Sequence, residues 1–231
     1  MSANLLETPV ADLVIEHPGR ARIFERLDID YCCGGDHSLA DACGKKDLNP
    51  EKVAELLESE TDGPAHERQT DWTEAPLGDL IDHIVSTHHE YLRRELPRLD
   101  PLLTRVTQAH GAQVSWLDPL LEVFQMMKND LYDHMENEES RVFPAIRAII
   151  AGPSEDEELD SVGIDKMIEE HEDTGAALRS LRDLSNGFTP PETACPKFRA
   201  ALHGLEELDR DLRRHMHKEN NILFPRARST A

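Results

Sequence analysis

From Pro76 onward the apolar residues recur every three or four positions over four long stretches, the spacing of a helix buried on one side. The first begins near 77 and runs through LIDHIVSTHHEYLRREL. The second runs from about Pro119 to Ile150, where GPSEDEELD breaks it. The third runs from Gly163 to SNG at 185–187, and the fourth follows TPPETACP to about 226. No stretch alternates apolar and polar residues as a half-buried strand would. The pattern predicts an all-α protein, with residues 76–231 as an up-down-up-down four-helix bundle. Residues 1–58 read as a separate small helical module. Prolines at 9, 18 and 50 stand where helices begin, and Ile23, Phe24 and Leu27 share a face. YCCGGD supplies a turn, and Ser38 can cap LADACGKK. Residues 59–75 are polar and aperiodic and read as a linker, with Trp72 anchoring its far end.

Composition narrows the partners. A formal charge of −21 over 231 residues repels nucleic acid and anionic membranes. The first residues, MSANLLETPV, lack the pattern of a signal peptide, and the longest apolar run is too short to span a bilayer. Of the four cysteines, Cys32 and Cys33 are adjacent, a poor arrangement for a disulfide framework. A reducing cytoplasm is the expected location.

The bundle repeats a phrase. LYDHMENEESRVFP at 131–144 returns as LRRHMHKENNILFP at 212–225, 81 positions on. Leucines and phenylalanines in it suit a core. The pairs His134/Glu138 and His215/Glu219 do not, because a buried carboxylate is costly unless paired or bound to metal. A spacing of four puts both side chains of each pair on one helix face. The other two helices add STHHEY and IEEHEDTG. His89 to His171 spans 82 positions, which favours His89 over His88. His134 lies roughly 24 Å from the end of its helix, and the antiparallel neighbour brings His89 within about one turn of that level. Four imidazoles and two carboxylates, His89, His134, Glu138, His171, His215 and Glu219, match two metals sharing two carboxylates. Mixed nitrogen and oxygen ligation with open positions suits iron better than calcium or a closed structural zinc. His110 stands about 31 Å beyond His89 along a continuous helix and is left out. Asp130 and Asp211, each four residues before a histidine of the set, are candidate acceptors for the second imidazole N–H. Pro144 and Pro225 should kink their helices.

These residues resemble a hemerythrin-like domain. With YCCGG, the entry DWTEAPLGDLIDHI and the ending HMHKENNILFPRA, nearly the whole chain is similar to the RIC (repair of iron centres, YtfE/ScdA) family. The resemblance implies a non-haem di-iron centre, oxo-bridged when oxidised. It places iron ligands at His89, His134, His171 and His215, bridging carboxylates at Glu138 and Glu219, and the paired cysteines at Cys32 and Cys33. The implied function is repair of iron–sulfur clusters damaged by oxidative or nitrosative stress, with damaged iron–sulfur proteins as partners. Iron donated from the di-iron centre would serve it, with the cysteines as a redox or iron relay. Nitric oxide reduction or scavenging, which would make the protein an enzyme, and dioxygen binding or sensing are the alternatives. A homodimer is compatible with the chain. Cys43 and Cys195 read as ordinary packing residues.

Overall fold

The computed structural model describes residues 2–59, 70–152 and 163–230. All but the first residue of the expected break at 152–160, and most of the expected linker at 59–75, lie outside them. The described residues are all-α, with one isolated bridge between Pro9 and Ser38. The chain divides into two compact units. One takes Met1–Leu80 with Arg213–Arg226; the other takes Ile81–Leu212 with Ala227–Ala231.

In the first unit, α1 (Ser2–Glu7), α2 (Val10–Glu16), α3 (Ala21–Leu27), α4 (Leu39–Gly44) and α5 (Pro50–Ser59) surround one apolar core. Leu13, Ile23, Phe24, Ile29, Tyr31, Leu39 and Leu57 fill it. Each large apolar side chain so buried contributes roughly 1.5–3 kcal/mol. Local chemistry sets the helix ends. Asp28 adopts φ 52° and closes α3, while the Ser38 hydroxyl accepts the Asp41 N–H and opens α4. The turn at 30–35 runs tightly over α2, where Ala11 N–H donates to the Gly35 carbonyl at 3.0 Å. A Cβ on Gly35 would stand 2.6 Å from that of Ala11, so only glycine fits.

Segment 213–226 closes this unit. Arg214 reaches Glu25 through two bonds of 2.8 Å, and Arg213 reaches Asp28 at 3.0 Å. His217 Nδ1 donates to the Tyr31 carbonyl at 3.2 Å. Asn221 donates to the Cys32 carbonyl at 3.1 Å. Trp72 is anchored by its carbonyl, which accepts from Arg226 at 2.5 Å.

The long helices, most of whose length lies in the second unit, follow the predicted runs. The first run is α6 (Leu77–His83), a π segment (Ile84–His89) and α7 (Glu90–His110). The second is α8 (Leu117–Asn137), a π segment (Glu138–Val142) and α9 (Phe143–Ala151). The third is α10 (Ile164–Leu184). The fourth is α11 (Pro196–Lys218), a π segment (Glu219–Leu223) and α12 (Phe224–Thr230). Leu92, Leu96, Leu99 and Leu103 on α7 and Leu120, Phe124, Met127 and Leu131 on α8 are buried at helical spacing. Gly204 of α11 packs on Leu99, whose Cδ2 would lie 2.6 Å from an added Cβ.

The three π segments were not foreseen, and each begins or ends on a candidate ligand. A proline at position i deprives the carbonyl at i−4 of its partner. Pro144 does this at Ser140 and Pro225 at Asn221, inside the segments that start at Glu138 and Glu219. At these two prolines the helix continues by widening one turn, a feature common at functional sites. Pro97 and Pro101 lie inside α7 without ending it.

Candidate metal centre

Within the second unit, four of the expected ligands meet. His89, at the end of the first π segment, and Glu138, at the start of the second, are fully buried; His134 and His171 are nearly so. Glu138 Oε2 lies 3.2 Å from His89 Nε2 and 3.3 Å from His134 Nε2. His171 Nε2 lies 3.1 Å from His134 Nε2. Donor atoms of His134, Glu138 and His171 fall within 4.8 Å of one another.

The far side of each ring decides what that convergence means. His89 Nδ1 lies 2.6 Å from Glu139 Oε1, and His134 Nδ1 lies 2.8 Å from Glu170 Oε2. Nδ1 must carry the proton to donate to a carboxylate, so in the neutral ring Nε2 is the nitrogen able to ligate a cation. Both Nε2 atoms face one carboxylate oxygen, and His134 Nε2 also faces the Nε2 of His171. Nitrogen and oxygen donors gathered this closely can close around a single cation. The donor set therefore fits the iron that the sequence implies.

Glu139 also accepts from Arg93 at 2.7 Å; burial raises its pKa, but the bonds from His89 and Arg93 bring it below the usual carboxylate range. The hydrogen bond from His134 pulls Glu170 down to about 2 against the cost of burial, with help from Lys166. Both acids stay ionised at neutral pH and keep their histidines in the Nδ1–H form.

In the first unit, His215 and Glu219 repeat the pairing one helical turn apart, with Nε2 to Oε1 at 2.9 Å and both side chains buried. They project from the face of their helix roughly opposite His217 and Asn221, given about 100° per residue.

The carboxylate partners differ from those expected. His134 is oriented by Glu170 rather than by the exposed Asp130. Asp211 accepts from His88 Nδ1 at 3.0 Å, so the neighbour of the candidate ligand is a buried, acid-bound histidine in its own right. Glu139 and Glu170 escaped the sequence reading because they lie beside Glu138 and His171 in acidic runs. Their only sequence signal is that adjacency. His110 sits at the end of α7, 3.4 Å from Cys195 Sγ and away from the cluster. Cys43 packs in the first unit's apolar core. Cys32 and Cys33 lie on the 30–35 turn beside Asp30, with their sulfurs 3.9 Å apart.

Comparison with known proteins agrees with this chemistry. The hemerythrin HHE cation binding domain matches residues 80–227, and a domain of unknown function termed ScdA_N (DUF542) matches residues 6–61. The iron-sulfur cluster repair protein YtfE of Pectobacterium atrosepticum is 36% identical over 218 residues, 94% of this chain and 95% of its own length. Those of Citrobacter koseri and Escherichia coli are 34% identical over 221 residues, 96% of either chain. A buried acid beside converging imidazole nitrogens, a cation-binding family match and full-length similarity coincide, and the chain belongs to the YtfE family of hemerythrin-domain proteins.

Proposed function

We propose that this protein repairs damaged iron–sulfur clusters by supplying iron from a non-haem di-iron centre. Iron held by His89, His134, His171 and His215, with Glu138 and Glu219 shared between two ions, is the reading the donor chemistry supports best. The convergence of His89, His134 and His171 on buried Glu138 carries it. The His215–Glu219 pair, which repeats His134–Glu138 at an offset of 81, supports the second half of the set. Iron in mixed imidazole and carboxylate ligation changes oxidation state and takes small ligands at open positions, and carboxylates tolerate the change of charge.

The chain's own residues do the rest. Glu139 and Glu170 hold the His89 and His134 rings with Nε2 toward Glu138. Burial keeps bulk water from the donors. Cys32 and Cys33 serve as a relay for iron or electrons. The substrate is a damaged iron–sulfur protein, and the cargo is ferrous iron. Nitric oxide and dioxygen are the small ligands such iron would meet in stressed cells. No described helix is long and apolar enough to cross a membrane, which suits action in the cytoplasm.

Freshly purified protein should hold about two irons per chain, antiferromagnetically coupled by Mössbauer spectroscopy when oxidised. It should reactivate a hydratase whose cluster has been damaged. Equal rescue by Glu138→Ala/Glu219→Ala protein would refute this role for the centre.

A further inference from the structure

The adjacent cysteines stand in a geometry that selects among their possible chemistries. A disulfide needs sulfurs about 2.05 Å apart; here they are 3.9 Å apart. Closing the bond would move them together by roughly 2 Å on a turn that is held on several sides. The Cys32 carbonyl accepts from Asn221 at 3.1 Å and Asn220 at 3.5 Å. The Tyr31 carbonyl accepts from His217, and Gly35 is wedged against Ala11 and the Tyr31 carbonyl. Asp30 Oδ1 accepts the backbone N–H of Cys32 at 3.1 Å and of Cys33 at 3.0 Å.

The same separation suits two thiolates on one ion. With metal–sulfur bonds of about 2.3 Å, sulfurs 3.9 Å apart subtend about 116° at the metal, close to the tetrahedral angle. A third donor is at hand, since the Cys32 thiol lies 3.2 Å from Asp30 Oδ1. One carboxylate oxygen and both sulfurs fall within 4.8 Å of one another. An Asx turn at Asp30 accounts for the backbone bonds alone; it does not call for two neighbouring thiols.

We infer that Asp30, Cys32 and Cys33 form a second metal site, a thiolate port that takes a single ferrous ion. Binding forms two metal–sulfur bonds and one metal–oxygen bond. It displaces the two thiol protons to solvent, so no electron is transferred and the port weakens as pH falls. Three protein donors leave a tetrahedral ion one open position. Structural sites close all four, whereas an open position admits an incoming ligand. The port is thus built to pass iron on, for example to a cluster sulfide or a client thiolate. This deepens the iron-donor reading and rests on it for the direction of transfer, while the binding itself stands on the turn's geometry alone.

The test uses full-length, iron-loaded protein under anaerobic conditions, titrated with Co²⁺. The port should take one further ion and produce thiolate-to-cobalt charge-transfer absorption in the near ultraviolet, which imidazole and carboxylate ligation does not give. Alkylation of Cys33, followed by mass spectrometry, should slow at least about tenfold when the ion is bound. Cys33→Ser should abolish the band. Asp30→Asn, whose amide oxygen still accepts the two backbone N–H groups, should fold normally and bind Co²⁺ about tenfold more weakly. Glu138→Ala/Glu219→Ala should keep the band while losing the di-iron centre. No charge-transfer band in the parent protein, a band that survives Cys33→Ser, or rapid formation of a Cys32–Cys33 disulfide instead would overturn the port. A Glu138→Ala/Glu219→Ala protein that retained its two irons would overturn the bundle reading and leave the port standing.

Discussion

The two copies of the repeated phrase, 131–144 and 212–225, share their ligand pair and their Phe-Pro, and both widen into a π turn directly after the histidine's helix. They differ in what the remaining polar residues hold. In the first copy, Glu139 grips His89 and Arg93, and the copy lies beside a cavity of about 480 Å³ lined by Arg93, Tyr132, Glu136 and Glu139. In the second copy the equivalent of Glu139 is Asn220, and the equivalent of Ser140 is Asn221. Both asparagines turn to the Cys32 carbonyl. One face of the phrase repeats and the other has diverged. The constant face carries the proposed ligand pair, while the variable face supplies a carboxylate to His89 in one copy and grips a cysteine turn in the other.

If the constant faces are equivalent, Glu138→Ala and Glu219→Ala should each weaken iron retention by tenfold or more, on the order expected for losing a shared anionic ligand. Iron content after a chelator challenge measures it. A large loss from only one of the two variants would break the equivalence. Glu139→Gln should come next. The amide still accepts from His89 but carries no charge, so iron should leave about tenfold faster and the optical bands of the oxidised centre should shift. Asn220→Ala, at the matching position, should change neither. Asn221→Ala should then cost about 1 kcal/mol of stability and expose Cys33 to faster alkylation, because the buried Cys32 carbonyl loses a donor. Ser140→Ala, its counterpart, should be silent in both assays.

The smallest effect lies outside the repeat and serves as a yardstick. Asp100 accepts from Lys128 at 2.6 Å and Gln125 at 3.0 Å, and these bonds hold its carboxyl below the usual value. A depressed folded pKa means that its contribution is present above the unfolded value of about 3.9 and is lost as pH falls through the folded one. Asp100→Asn should cost about 0.5 kcal/mol near pH 7 by denaturant unfolding. It should flatten the acid limb of the stability curve slightly and leave iron content unchanged.

Much of the bundle was legible because helical burial is written locally. The predicted start near 77 meets Leu77, and the predicted third helix from Gly163 meets Ile164–Leu184 with Gly163 at its cap. His89 was separable from His88 by the repeat offset, and His110 by its distance along the helix. The outer carboxylates were not legible. Asp130 and Glu170 are both acids near a histidine, and no spacing rule tells which one a ring nitrogen 36 positions away will meet. The same holds for His88, whose acceptor Asp211 lies 123 positions on.

The sequence by itself determined the helical class, the turn chemistry of YCCGG and the candidate ligands at 89, 134, 138, 171, 215 and 219, because periodicity and spacing are properties of one helix at a time. Tertiary structure alone decided which nitrogens of His89 and His134 face Glu138, which acids hold those rings, and that 213–226 packs with the first eighty residues. Those choices depend on contacts between residues far apart in the chain, and only the packed molecule brings them within hydrogen-bond range.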